Sequence, residues 1–465
     1  MIGPHYYSYK DPVSRVVQKD GEYYRYIFQA YKSEYDHLMQ SGLYQELIGN
    51  SLLIPHKEIE ADTNSSEVYK LIKPSQIYFQ SYPFEWSYSQ WRKAAMSFIK
   101  INQIAIKFGM ILKDATPYNF YLSAGKAIMF DTSSFIFFKE NDNWIAYRQF
   151  CEEFLSPLVL MKYNGQNWGR ISKTQMNGFP LNFVSKQLPA KSWFNLTCLL
   201  HIHIHAKYSN RQEENKAERK VKKGFSTEKI LSLFSMIFST IHSWVKPYQL
   251  QNHWSGYYEN SIESNNYLVE KEEIVREWLA LIKPKSVLDL GTNTGKFSFI
   301  AAEYSGNVIA LESDDRCVDE IEAQIEKRNI GNVNALVRDL AAITPDFGVL
   351  NKEYKSLFKR GKSELVLALA LIHHLRISIN IPLNLIVEIF NELSEKYLIV
   401  EFISKEDKMA KILLKDKTAN FFDYNLDEFV EAFSTEFKLL QTKQLKGTQR
   451  TLFLFEKKID DHESV

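Results

Sequence analysis

Residues 285–304, KSVLDLGTNTGKFSFIAAEY, constrain the fold more than any other stretch of the chain. The run from Ser286 to Leu290 is short and apolar, as a strand buried on both faces of a parallel sheet requires. Asp289 stands near its end, Gly291-Thr-Asn-Thr-Gly295 follows, and a helical pattern then begins. Glycines at these two places permit a tight turn and let backbone N–H groups approach a ligand closely. In a doubly wound sheet, that first strand–helix junction is where a nucleotide-like cofactor lies. The spacing is G-x-x-x-G. It is neither the G-x-G-x-x-G of a dinucleotide-binding fold nor the longer loop with Lys-Ser/Thr of a P-loop.

The pattern continues downstream. A strand expected at 307–311 (NVIAL) ends in Glu312 and Ser313. A carboxylate about 20 residues beyond the glycine turn is placed to accept hydrogen bonds from both hydroxyls of a ribose. A third strand, 334–337, leads to Asp339 and Leu340, an acid for the amino group of an adenine and an apolar side chain for its ring face. A fourth, 364–370, runs into Leu371-Ile372-His373-His374-Leu375, and a fifth, 396–400, into Glu401-Phe402. Segments 437–444 and 451–456 suit a closing hairpin. This ordered set resembles class I S-adenosylmethionine-dependent methyltransferases, with VLDLGTNTG as the first motif, ALESDD as the acidic second and VRDL as the third. The resemblance runs from about Trp254 to Lys458. It implies an α/β, Rossmann-like, seven-stranded sheet with S-adenosylmethionine held by Asp289, Gly291, Thr292, Asn293, Gly295, Glu312, Ser313, Asp339 and Leu340.

The resemblance also implies in-line transfer of a methyl group to a nucleophile held in near-attack geometry. A hydroxyl acceptor of high pKa needs a base. His373 and His374 lie just past the fourth strand, where the substrate should sit, so each is a base candidate. The competing reading is a pair that shapes the turn and packs beside the cofactor. Upstream, Trp254, Tyr257 and Tyr258 in HWSGYY either lid the adenosine or substrate or pack at a domain junction. After the fourth strand there is no N-P-P-Y or D-P-P-Y tetrapeptide, which argues against methylation of a planar amino nitrogen.

The first half carries a different signal in MILKDATPYNFYLSAGKAIMFDTSSF, residues 110–135. Asp114, Pro117 and Asn119, followed by Asp131 after a glycine-containing turn, resemble the catalytic loop and metal-binding strand of protein-kinase-like folds. There the first Asp is the base, while the Asn and later Asp hold magnesium on nucleotide phosphates. The segment SYPFEW, 81–86, stands where a hinge between lobes would be, ahead of a helix expected at 87–108. The departures are specific. Leu112-Lys113 replace His-Arg, Thr132-Ser133 replace Phe-Gly, the first 60 residues hold no glycine-rich phosphate loop, and Arg25 in EYYRYIF is the nearest substitute for a strand lysine. The chain as a whole is similar to bacterial two-part methyltransferases with an LKDATPYN-type segment upstream and an ALALIHHL-type segment downstream, some described as nodulation-type proteins. A plainer alternative is that Asp114, Asn119 and Asp131 only cap turns.

At 465 residues the chain exceeds what one hydrophobic core organises. The expected division is an α+β kinase-like domain over 1–164, a helical extension and charged linker over 165–250, a methyltransferase domain over 251–458 and a tail over 459–465. Within the linker, RQEENKAERKVKK mixes both signs, so it reads as a solvated helix face or linker rather than a nucleic-acid patch. A net charge of +1 supplies no global field for nucleic acid. The start of the chain lacks a basic, apolar leader, and 230–245 is too short and too polar to span a bilayer. With Cys151, Cys198 and Cys317 far apart, a cytoplasmic location is expected. His201, His203 and His205 alternate, but their surroundings look helical and a fourth ligand is missing, so no metal is assigned.

Three functions follow as expectations. The first is a methyltransferase acting on a hydroxyl or similar group of a small molecule, glycan or secondary metabolite. The second is a bifunctional enzyme binding magnesium-ATP at Asp114, Asn119 and Asp131. The third is a methyltransferase whose first half is a scaffold for a protein partner.

Overall fold

The computed structural model describes residues 8–61, 65–208, 224, 226–245, 265–415, 417 and 421–459. The chain forms two compact units, Met1–Gln251 and Asn252–Val465.

In the first unit, β1 (Ser14–Lys19), β2 (Glu22–Phe28), β3 (His56–Ile59) and β4 (Val68–Pro74) form an antiparallel sheet in the order β1-β2-β4-β3. Two helices, Lys32–Gln40 and Leu43–Gly49, lie between β2 and β3, where the sequence pattern predicts a single helix around 33–48. Gly42, at φ +93°, separates them, a conformation that ends the first helix without steric cost. The helix Tyr88–Lys107 begins at Ser87, whose backbone N–H donates to Gln90 Oε1 at 2.9 Å. Its buried Asn102 accepts from Leu112 N (3.1 Å) and donates to Phe98 O (2.9 Å). That side chain fixes β5 (Met110–Leu112), the strand that delivers Lys113 and Asp114. The hairpin β6 (Phe120–Ser123) and β7 (Lys126–Met129) follows, and β8 (Phe135–Phe137) pairs with β5. The expected hinge, 81–86, is a buried turn: Tyr82 N donates to Glu85 Oε2 at 2.8 Å, and Trp86 Nε1 to Ser81 Oγ at 2.9 Å. Helices from Tyr147 to Ser243 complete this unit, with Phe234 edge-on to Trp144 beside the stacked Phe98, Phe150 and Phe154. The charged run 211–223 lies outside the described residues.

His201, His203 and His205 sit on a widened, π-helical stretch and its continuation. They serve as core partners: His201 meets Tyr147 Oη at 2.7 Å, and His203 lies 2.8 Å from both Ser185 Oγ and Ser192 Oγ.

The second unit holds one seven-stranded sheet: β9 (Ser286–Leu290), β10 (Asn307–Glu312), β11 (Val333–Val337), β12 (Ser363–Ala368), β13 (Ser394–Ile403), β14 (Phe437–Gln444) and β15 (Arg450–Lys457). The order is β11-β10-β9-β12-β13-β15-β14, and only β15 runs against the other strands. Val275, Trp278 and Leu279 of helix Asn265–Ile282 are buried in one core with Phe297, Ile300, Ile321 and the strand residues Val308 and Leu365. Phe429 and Phe433 pack with Phe453 and Phe455 of β15. Two boundaries differ from expectation. The fourth strand stops at Ala368, because Ala370 turns to φ +51°. The fifth runs on to Ile403, so Glu401 lies inside a strand rather than beyond one. In this order β9 is flanked by β10 and β12, so the winding reverses on either side of it, and the crevice at its carboxyl end is a switch point.

Candidate active site

The loop after β9 is built to stay open. Gly291 N and Thr292 N both donate to Leu311 O, at 2.9 and 3.1 Å, which folds the loop over the end of β10. Gly291 has φ +71°, and a Cβ there would lie 3.1 Å from Leu371 Cδ1. At Gly295, φ +84°, a Cβ would meet Ile321 Cγ1 at 2.8 Å, a distance real side chains do not adopt. Backbone conformation therefore favours glycine at both positions, and space requires it at Gly295. The Gly291 contact also brings the segment after β12 against the loop.

Asp289 is buried below the loop. Its Oδ2 accepts from Ser298 Oγ at 2.6 Å, and Ser298 in turn is hydrogen-bonded to Thr292 Oγ1. Burial pushes the Asp289 carboxyl up to about 6, with Ser298, Thr292 and Lys271 pulling the other way.

Glu312, at the end of β10, pins the loop. Its Oε2 accepts from Asn293 N at 2.8 Å, while Oε1 accepts from Ser313 N (2.6 Å), Ser313 Oγ (3.0 Å) and Asp314 N (3.0 Å). Oε2 retains acceptor capacity for a ligand hydroxyl. Asp314 caps the next helix, accepting from Arg316 N at 2.9 Å. Beyond β11, exposed Asp339 accepts from Ala341 N through Oδ1 at 2.9 Å, and buried Leu340 stands beside it. The glycine loop, Glu312 and exposed Asp339 with its apolar neighbour thus occupy the ends of three adjacent strands, an arrangement that fits an adenosine-containing cofactor.

His373 and His374 follow β12 at a π-helical turn, His374–Ser378, with ring centroids 4.1 Å apart. His373 is fully buried, and neither ring nitrogen has a hydrogen-bond partner among the described residues. Burial pulls its imidazole well below the usual range, and the basic neighbours His374, Arg450 and Lys271 act in the same direction. Burial brings His374 down to about 4. Both rings are neutral at physiological pH.

A further polar group had no clear sequence signal. On β13, Glu401 accepts from Tyr267 Oη and Lys271 Nζ, each at 2.6 Å. Arg450, opening β15, donates to Tyr267 Oη at 2.8 Å and to Asp407 Oδ2 at 2.9 Å. Burial opposes the charge on Glu401, but Lys271 and Arg450 outweigh it and hold the carboxyl below its ordinary value. Lys271 lies in the charge-dense KEE stretch of a helix, where nothing marks one lysine as buried. Trp254, Tyr257 and Tyr258 lie outside the described residues.

In the first unit, Asn119 and Asp131 come together, with Asn119 Nδ2 3.3 Å from Asp131 Oδ2. Asp114 is half-buried, its carboxyl raised chiefly by burial and then by Asp131 and Asp11, with Lys113 opposing. Arg25 NH1 donates to Asp131 Oδ1 at 2.7 Å.

The chain is similar to the nodulation protein NoeA of Rhizobium meliloti (strain 1021), at 26% identity over 463 residues, covering 97% of this chain and 95% of that protein. Among solved structures it is similar to the N-methyltransferase NodS from Bradyrhizobium japonicum WM9, with 11% identity, 42% of this chain and 99% of that one covered, and a TM-score of 0.32. It is also similar to magnesium protoporphyrin IX methyltransferase from Synechocystis PCC 6803 with bound SAH, with 14% identity, 44% and 92% covered, and a TM-score of 0.32. No family model matches the chain. No helix among the described residues is long and apolar enough to cross a membrane.

Proposed function

We propose that the second unit is an S-adenosylmethionine-dependent methyltransferase acting on a hydroxyl or similar nucleophile of a small molecule, glycan or secondary metabolite. The observation that carries this reading is the set of strand-end groups around the switch point of the β11-β10-β9-β12-β13-β15-β14 sheet. Bound S-adenosylmethionine supplies a methyl group activated by a positively charged sulfur. Gly291, Thr292, Asn293 and Gly295 let the backbone close on it, and Glu312 and Ser313 receive the ribose. Asp339 and Leu340 hold the adenine. Asp289, ionised above about 6, gives the loop a negative charge matched to a cationic amino group.

His373 and His374 sit beside the acceptor. A neutral imidazole offers a lone pair to an acceptor hydroxyl, and His373 carries two buried nitrogens that a ligand would satisfy. Positioning supplies most of the acceleration, and proton removal adds the remainder for a hydroxyl of high pKa. The first unit is, on this reading, a kinase-like scaffold that positions a partner or the acceptor. The likeness to NoeA across nearly the whole chain supports treating both units as parts of one design.

The test is binding of S-adenosylmethionine by full-length protein and by folded Gly291→Asp and Glu312→Ala variants. Weakened binding in both is expected. Unchanged affinity in both would overturn the site assignment.

A further inference from the structure

A kinase-like reading of the first unit implies a divalent cation at Asp131 and Asn119, and the residues present do not fit one. Magnesium demands near-octahedral oxygen ligation at about 2.0–2.1 Å, so a carboxylate must offer lone pairs to it. Asp131 already holds a cation on one oxygen and faces a side-chain amide with the other. Oδ1 accepts from Arg25 NH1 (2.7 Å), Ser133 N (3.1 Å) and Ser133 Oγ (2.8 Å), while Oδ2 faces Asn119 Nδ2 (3.3 Å). The donor that dominates is a guanidinium, a full positive charge that is always protonated. A divalent cation arriving at the same carboxylate would meet that charge at close range, in a setting where both Arg25 and Asp131 are buried.

A second acid, Asp11, shares the Ser133 hydroxyl with Asp131. Asp11 Oδ2 lies 2.6 Å from Ser14 Oγ and 2.7 Å from Ser133 Oγ, and its Oδ1 accepts from Val13 N (3.2 Å) and Lys113 Nζ (3.3 Å). Arg25 NH1 also donates to Ser14 Oγ at 2.9 Å and to Ser133 Oγ at 2.7 Å. Arg25 and Lys113 therefore offset the carboxylates of Asp131 and Asp11 through two shared hydroxyls, each of those four oxygens has a donor, and half-buried Asp114 is a third carboxylate within electrostatic reach. Such a closed set has no need of an inorganic ion, and opening it would leave buried charge uncompensated.

We propose that the Arg25 guanidinium takes the place of a divalent cation at Asp131, making the first unit a metal-independent module that performs no magnesium-dependent phosphoryl transfer. The inference is independent of the methyltransferase assignment, since it concerns only residues of the first unit.

The experiment titrates full-length protein with manganese(II) alone, followed by water-proton relaxation and by the thermal midpoint. Wild type should show no saturable response. Folded Arg25→Met, which keeps Asp131 but removes its counter-ion, should gain a saturable response and an upward midpoint shift that wild type lacks. The double variant Arg25→Met/Asp131→Asn should lose that gain. A saturable manganese site in wild type that disappears in Asp131→Asn would overturn the proposal, and this arm decides even if Arg25→Met does not fold. Folded Arg25→Met that ignores manganese would overturn it as well.

Discussion

The acid cluster of the first unit and the crevice at the end of β9 in the second treat their polar groups in opposite ways. Around Asp131 the polar groups close on one another until each carboxylate oxygen has a donor. Around β9 they do not close: Asp339 stays exposed, and His373 keeps two buried nitrogens without a partner among the described residues. Leaving a buried polar group unsatisfied costs about 1–3 kcal/mol, a cost that a ligand bound in the crevice would relieve at His373.

The contrast can be broken most forcefully at Lys271. It is as buried as Arg25 and pairs with a fully buried Glu401. Lys271→Met leaves that carboxylate short of a partner and should cost the second unit about 3–5 kcal/mol. Urea denaturation checks this, and adding Glu401→Gln should recover part of the loss. A neutral effect of the single change would mean that the network is not a supporting frame.

A smaller but more local effect is expected at the loop. Gly291→Asp forces a side chain into a position at φ +71° against Leu371. Affinity for S-adenosylmethionine should fall by about a hundredfold, roughly 2.7 kcal/mol, with the circular dichroism spectrum preserved. Glu312→Ala removes both a ribose contact and the pin on Asn293 N. A loss of about tenfold is expected, near 1.4 kcal/mol, and a change confined to the unfolding midpoint would reduce Glu312 to a loop clamp.

The gentlest probe is pH. The Asp289 carboxyl is raised to about 6, so it takes up a proton as pH falls from 7 to 5 and loses its charge. Cofactor affinity should therefore weaken toward acid, by at most about tenfold per pH unit, and Asp289→Asn should flatten the profile. His374, held at about 4, stays neutral through that window and contributes nothing to it. A profile unchanged by Asp289→Asn would remove the charge argument.

Much of the second unit was legible because its strands are apolar runs that end in acids or glycines, and a buried parallel sheet allows little else. The loop glycines, Glu312, Asp339 and the histidine pair all sit at strand ends. What escaped notice depends on long-range meetings. Lys271 and Arg450 stand 179 positions apart in number, and their shared focus on Glu401 is set by β13 pairing with β15 rather than by local pattern. In the first unit, the sequence marked Arg25 as the nearest substitute for a strand lysine but not as the partner of Asp131. Its bond to Asp131, 106 residues later, depends on how the sheet meets the turn between β7 and β8. The second helix between β2 and β3 was missed because the sequence expectation joined 33–48 across Gly42.

Calorimetric titration of full-length protein with S-adenosylmethionine tests the central claim most directly. Saturable binding at a single site, abolished in folded Gly291→Asp, is the result this account requires. Folded wild-type protein that takes up no S-adenosylmethionine would contradict it.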